Sequence, residues 1–390
     1  MKRVRSGLEE LLAHPGALRG ARLGLIAHAA SVGTDLRHAT SRLHASRAFT
    51  LTALFGPEHG IHGGAQDLVE VGHSRDPATQ LPVFSLYGAT RRPTPRMLRG
   101  LDTLVFDLQD VGARYYTFIS TLLHAMEACA AQGRRLVVLD RPNPIGGDQL
   151  DGNVLDPAFR SFVGLHPLAV RHGMTVGELA LMFRAERSLA LDLRVVPMRG
   201  YRRSMSFEDT GLPWVMPSPN MPSLDTAWVY PGGCLLEGTN LSEGRGTTRP
   251  FELAGAPWLD GDRLARDLEA ERLPGVAFRA CRFVPSFHKH AGRSCGGVQV
   301  HVTDRRGFRA FLTYLLLLHH ARRQEPRRFA WRQPPYEYET RKLPIDILCG
   351  GDRERLALEA GVSPRRLLPR WRRELRDFGR RRSAFLLYPE

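Results

Sequence analysis

The sequence predicts an α/β protein whose first two-thirds form a parallel sheet with helices on both faces. Three observations carry this expectation. Short aliphatic or β-branched runs end in polar or Gly/Pro residues, and longer amphipathic stretches stand between them. At 390 residues, with 43% hydrophobic and 24% charged content, the chain can bury a large core and has room for two domains. Strands alternating with helices imply a parallel sheet, whose ligands sit beyond the carboxyl ends of the strands.

The strand-like runs are "ARLGLIAHA" (21–29), "FTLTALFG" (49–56), "TLVFDLQD" (103–110), "RLVVLDRP" (135–142) and "DLRVVPM" (192–198). Helices are expected at 119–132 and 175–187, the second opened by Thr175 and Glu178 as a capping box. A Pro/Gly-rich passage, 211–257, breaks the alternation and reads as a long functional loop leading to a smaller α/β domain, with the division after residue 232. Beyond it come two more strand-like pieces, 276–285 and 296–304, and a helix at 307–322. Near the end, Leu367, Leu368, Trp371, Leu375 and Phe378 recur at helical spacing between arginines, the pattern of a packed helix with a solvated basic face.

The charge is +15, from 55 Lys and Arg against 40 Asp and Glu. It is mostly arginine and spread along the chain, so neither a nucleic-acid nor a membrane partner is expected. No window approaches the roughly 18 apolar residues of a membrane span. The basic opening carries Glu9, Glu10 and His14 where an export signal would be apolar, and the five cysteines are scattered without a CxxC pair. Together these features predict a cytoplasmic setting, with no disulfide framework and no thiolate zinc site.

Three consecutive strand ends deliver polar groups to one rim: Glu58 and His59, then Asp107, Gln109 and Asp110, then Asp140, Arg141 and Asn143. No G-x-G-x-x-G, Walker A or G-x-S-x-G motif is present, so the residues indicate neither a dinucleotide, a P-loop nor an acyl-transfer nucleophile, and no cofactor is expected. His59, His62, His73, Asp107, Asp110 and His172 are metal-ligand types, but His59 and His62 lie on a glycine-rich loop without the helical register of a zinc motif, so a metal-assisted hydrolase is only an alternative. Paired carboxylates remain. Glu58, Asp67, Asp107, Asp110, Asp140, Glu237 and Glu243 supply acids, and Arg114, Arg141, Arg171 and Arg245 supply cations suited to an anionic substrate.

The blocks "FGPEHGIHG", "LVFDLQDVGARYYTFISTLLHAMEA", "VLDRPNPIGG", "RHGMTVGELA", "GLPWVMPSPNMPSLDTAWVYPG", "EGTNLSEGRGTTRPFE" and "FLLYPE" occur in order along nearly the whole chain. They resemble the exo-β-N-acetylmuramidases of peptidoglycan turnover, glycoside hydrolase family 171. The resemblance implies a Rossmann-like N-terminal domain without dinucleotide, a smaller C-terminal domain, and a cleft between them for the non-reducing end of a small muramic-acid saccharide. It places the catalytic acid on Glu58; a second catalytic group, to activate water or orient the substrate's N-acetyl group, is expected among Asp67, Asp110 and Glu243. The expected substrate-binding residues are His59, Asp110, Arg114, Tyr116, Asp140, Arg141, Asn143, His172, Asn220, Asn240 and Arg245. Arg114, Arg141 and Arg245 are expected to meet the lactyl carboxylate, with Asp140 and Asn143 holding the Arg141 fork. Two departures stand out: Asp67 replaces the family's usual glutamate, and Ala27-His28 replaces a Thr-Asn pair. A non-catalytic protein that binds or senses peptidoglycan fragments is the alternative outside enzymology.

Overall fold

The computed structural model describes residues 3–64, 66 and 72–390. Helix α1 (Gly7–Ala13) opens with Ser6 and Glu9 capping each other reciprocally. It is followed by β1 (Arg22–Ala27), α2 (Ala39–His44), β2 (Thr50–Gly56), β3 (Ser74–Arg75), β4 (Pro82–Ser85), β5 (Thr103–Asp107), α3 (Phe118–Ala131) and β6 (Arg135–Leu139). Then come β7 (Asp151–Val154), β8 (Ala169–Arg171), α4 (Val176–Glu186) and β9 (Leu193–Val196). Seven strands make one sheet in the order β3-β4-β2-β1-β5-β6-β9, parallel except for β3 at the edge.

All five strand-like runs of the sequence lie in this sheet, and α3 and α4 fall where helices were expected, α4 with its Thr175–Glu178 capping box. Side chains alternate between two apolar layers. Ile26, Phe55, Phe106 and Val138 face α3 and α4, while Leu25, Leu54, Val105 and Val137 face α1 and α2. Ile26 stands in register with Phe55 on one side and Phe106 on the other, so the carboxyl ends of β2, β1 and β5 share one edge. The strand order reverses at β1, which puts the switch point between β1 and β5.

The remainder comprises α5 (Leu224–Gly233), β10 (Leu253–Ala256), α6 (Gly261–Ala270), β11 (Val276–Phe283), β12 (Cys295–Val302), α7 (Ala310–Gln324), α8 (Pro344–Cys349), α9 (Arg353–Glu359) and α10 (Leu368–Arg382). Strands β10-β12-β11 form a small antiparallel sheet. The passage 211–257 is therefore not one long loop: it contains α5 and β10. Its glycines serve packing, since a Cβ on Gly232 would stand 2.1 Å from the Ala310 carbonyl oxygen at the start of α7. The division expected after residue 232 falls inside α5, which packs on α7. In α10, Trp371 and Phe378 are buried and most of the arginines point outward, as the spacing predicted. Among the described residues no helix is long and apolar enough to cross a membrane.

Candidate active site

Past the end of β2 the chain turns sharply. The Gly60 amide donates to the Pro57 carbonyl, and His59 takes a left-handed φ of 70°, a conformation uncommon outside glycine. The turn carries Glu58 over the sheet edge, where its Oε2 accepts a 2.6 Å hydrogen bond from the Thr117 hydroxyl just before α3. Glu58 is buried, and among the described residues no cation pairs with it. It lines a cavity together with His59, Tyr116 and Thr117 from the first half of the chain and with Ser218 and Asn220. Tyr230, Glu237, Arg245, Tyr336 and Glu337 close it from the second half.

Glu237 is fixed in the far wall, accepting from Tyr336 Oη at 2.5 Å and from Arg245 Nη2 at 2.6 Å. Arg245 lies over the Phe251 ring, and its Nε stands 3.2 Å from Glu243. Glu243 is behind the wall rather than in it. Burial alone would raise its pKa, but Lys289 at 2.8 Å, His288 at 3.1 Å and Arg245 together hold it well below the usual carboxylate range. Held ionised by Lys289 and Arg245, with a hydrogen bond from His288, Glu243 cannot donate a proton at neutral pH, and it does not line the cavity. Burial pushes the Tyr116 phenol well above its ordinary value against the pull of Ser218, and Glu58 and Asp110 add to the rise. Tyr116 therefore stays neutral and can offer its proton as a hydrogen bond.

Most of the other expected binding residues turn inward. Arg141 forks onto Asp107, Nε to Oδ1 at 2.6 Å and Nη2 to Oδ2 at 2.9 Å, and also reaches the Val32 carbonyl. The fork is thus not held by Asp140 and Asn143; Asp140 meets only the Arg141 backbone amide, at 3.0 Å. Asp140 instead caps the start of α4, accepting from Thr175 Oγ1 and the Gly177 amide, and takes a further hydrogen bond from Tyr388 Oη. Burial lifts its pKa to about 7. Asn143 bridges the Met174 carbonyl and the Ile145 amide, and Asp110 faces His172 at 3.4 Å. Arg114, fully buried, donates to the carbonyls of Asn153, Leu168, Leu348 and Cys349. Asn240 ties the backbone at Arg328 and Ala330. None of these lines the cavity; Arg141, Asp140, Asn143 and Asn240 spend their polar groups on neighbouring side chains and backbone. Asp67 lies outside the described residues.

The switch point is filled by the protein itself. His28 Nε2 accepts from the Gln109 amide at 2.9 Å, its Nδ1 meets the Pro217 carbonyl at 3.2 Å, and its ring abuts Phe118 edge-on. Burial keeps its pKa well below the ordinary value, so the imidazole is neutral. His28 thereby joins the end of β1 to the segment that carries Ser218 and Asn220 into the cavity. The metal-ligand types are dispersed: His62 meets Asp76, and His73 accepts from the Ser85 amide. Among the described residues no three such side chains converge. Of the expected site residues, Glu58, His59, Tyr116, Asn220 and Arg245 come together. Thr117, Ser218, Tyr230, Tyr336 and Glu337 were not foreseen, and Glu237 was foreseen only as an acid near others.

The fold and the cavity define a class: an α/β protein that turns buried carboxyls and phenols into one cavity, the equipment of a glycosidase. The chain matches the family descriptions "Exo-beta-N-acetylmuramidase NamZ, N-terminal" over residues 23–225 and "Exo-beta-N-acetylmuramidase NamZ, C-terminal" over residues 228–388. It belongs to that family and is a glycosidase. It is 45% identical to the peptidoglycan β-N-acetylmuramidase NamZ of Bacillus subtilis, over 99% of this chain and 92% of the relative. A crystal structure of a DUF1343 family protein from Bacteroides fragilis is similar over 100% of both chains, with a TM-score of 0.91 and 35% identity. A second from the same organism has a TM-score of 0.79 and 30% identity over 99% of both chains.

Proposed function

We propose that this protein releases terminal N-acetylmuramic acid from β-linked, peptidoglycan-derived saccharides, with Glu58 as the general acid. The observation that carries the reading is the position of Glu58 in the cavity wall: Thr117 holds one carboxyl oxygen and leaves the other for the substrate. Glu58 would give its proton to the glycosidic oxygen as the bond to the anomeric carbon breaks, and water then supplies the hydroxyl at that carbon. Glu237, held by Arg245 and Tyr336 in the opposite wall, is the second carboxylate, in place of Asp67, Asp110 and Glu243, and would take the proton that the attacking water gives up. Tyr116 contributes a neutral donor for a sugar oxygen. A cytoplasmic setting belongs to the same reading, supported by five free thiols, four of them buried.

The test is a pair of chromogenic substrates. A β-N-acetylmuraminide should be cleaved at least about tenfold to a hundredfold faster than the β-N-acetylglucosaminide, which lacks only the lactyl ether, because a charge-assisted contact left unmade costs roughly 1.5–3 kcal/mol. Equal rates would overturn the muramidase reading. No rate on either, with the muramic sugar still bound, would favour a binding protein.

A further inference from the structure

The cavity holds three carboxyls, Glu58, Glu237 and Glu337, against one guanidinium, Arg245, which already touches Glu237 and Glu243. An anionic sugar needs another cation. Of those expected to supply it, Arg114 is committed to backbone carbonyls and Arg141 to Asp107. We propose that Arg91, stacked on the ring of Tyr338 next to the cavity-lining Glu337, is the residue that recognises the substrate's anionic substituent. On the muramidase reading, on which this inference rests, that substituent is the lactyl carboxylate.

Arg91 is half-buried on the segment following β4. Its guanidinium carbon lies 3.9 Å from the centroid of the Tyr338 ring and 5.8 Å from that of Phe162. Both rings adjoin the cavity in sequence, since Tyr338 follows Glu337 and Phe162 precedes Val163, and both of those residues line it. Tyr87 ties the group together: its hydroxyl donates to Glu337 at 3.1 Å and its ring meets Tyr338 at 5.5 Å. The neighbouring Arg92 is paired with Glu127, whereas Arg91 has no ion pair among the described residues. Stacking on a tyrosine holds a guanidinium in place by its face and leaves its N–H fork to meet a carboxylate edge-on.

The backbone under this platform is strained. Glu337 and Tyr338 are consecutive non-glycine residues with φ of 47° and 65°, and Tyr338 remains 39% exposed. Left-handed conformations at bulky residues persist where the surrounding structure enforces them, and they cluster at ligand clamps. Here they turn Glu337 into the cavity wall while Tyr338 faces outward under Arg91.

The experiment is calorimetric titration of wild type, Arg91→Ala and Arg91→Lys with N-acetylmuramic acid and with its neutral lactyl methylamide, alongside turnover of the β-muraminide. Wild type should prefer the acid, and Arg91→Ala should weaken acid binding roughly tenfold while leaving the amide within about twofold. In turnover the loss should appear in KM rather than kcat, and Arg91→Lys should recover part of it. Unchanged preference for the acid in Arg91→Ala, or no such preference in wild type, overturns the inference. Turnover absent while binding follows the expected pattern would instead sink the muramidase reading and leave Arg91 in its role.

Discussion

The carboxyl ends of β5 and β6 and the turn after β2 carry similar side chains, and the fold uses them in opposite ways. At β5 and β6, Asp107, Arg141, Asp140 and Asn143 are saturated by one another, by helix N–H groups and by loop carbonyls. After β2, Glu58 receives one hydroxyl and faces a cavity whose far wall comes from the second half of the chain. Burial is nearly the same in both places. What separates scaffold from chemistry is whether a buried polar group still has a vacancy for a substrate atom.

The largest effect should come from the cavity side. Glu58→Gln should lower kcat by about 10² to 10⁴ while the melting temperature barely moves. A variant within threefold of wild type would erase the contrast between the regions. On the scaffold side the pattern should reverse: Arg141→Met leaves Asp107 buried without its partner and should cost about 3–5 kcal/mol in denaturant unfolding, with kcat of the folded fraction little changed. If Arg141→Met instead abolished turnover in a stable protein, the strand-end network would belong to the active site after all.

Two carboxylates sharpen the comparison through pH. Asp140 has its folded pKa raised from 3.8 to about 7, so its contribution is fully present below about pH 3.8 and is lost as pH rises toward 7. Glu243 has its folded pKa lowered from 4.5, so its contribution is present above that value and is lost only in acid, as pH falls through the folded value. Stability measured against pH should therefore lose its neutral-side slope in Asp140→Asn and its acid-side slope in Glu243→Gln. The smallest effect concerns the thiols. Burial pushes Cys129 up to about 12 and Cys295 to about 11, so a small alkylating reagent at neutral pH should leave kcat within about twofold.

The sheet was legible because a strand buried on both faces announces itself as an aliphatic run, as β1, β2, β5 and β6 do; β9, at the sheet edge, is aliphatic but only partly buried. Helix α5 was not, because Pro231, Gly232 and Gly233 read locally as breakers, and only the close approach of α7 to Gly232 and of Phe251 to Gly233 explains the glycines. In the site, Glu58, His59 and Tyr116 follow from strand ends and motif blocks. Tyr336 and Glu337 do not, since Tyr336 reaches Glu237 across 99 positions from a segment with no periodicity. Arg114 and Arg141 show the complementary failure: a sequence displays a guanidinium but not whether its N–H groups are already satisfied.

The most direct test of the account is the leaving-group dependence of Glu58→Gln. A general acid matters in proportion to how badly the departing oxygen needs a proton. The variant should lose about 10² to 10⁴ in kcat on a natural muramic-acid disaccharide and much less on a 2,4-dinitrophenyl β-N-acetylmuraminide, whose phenolate leaves unaided. Equal loss on both substrates would contradict the assignment of the acid to Glu58.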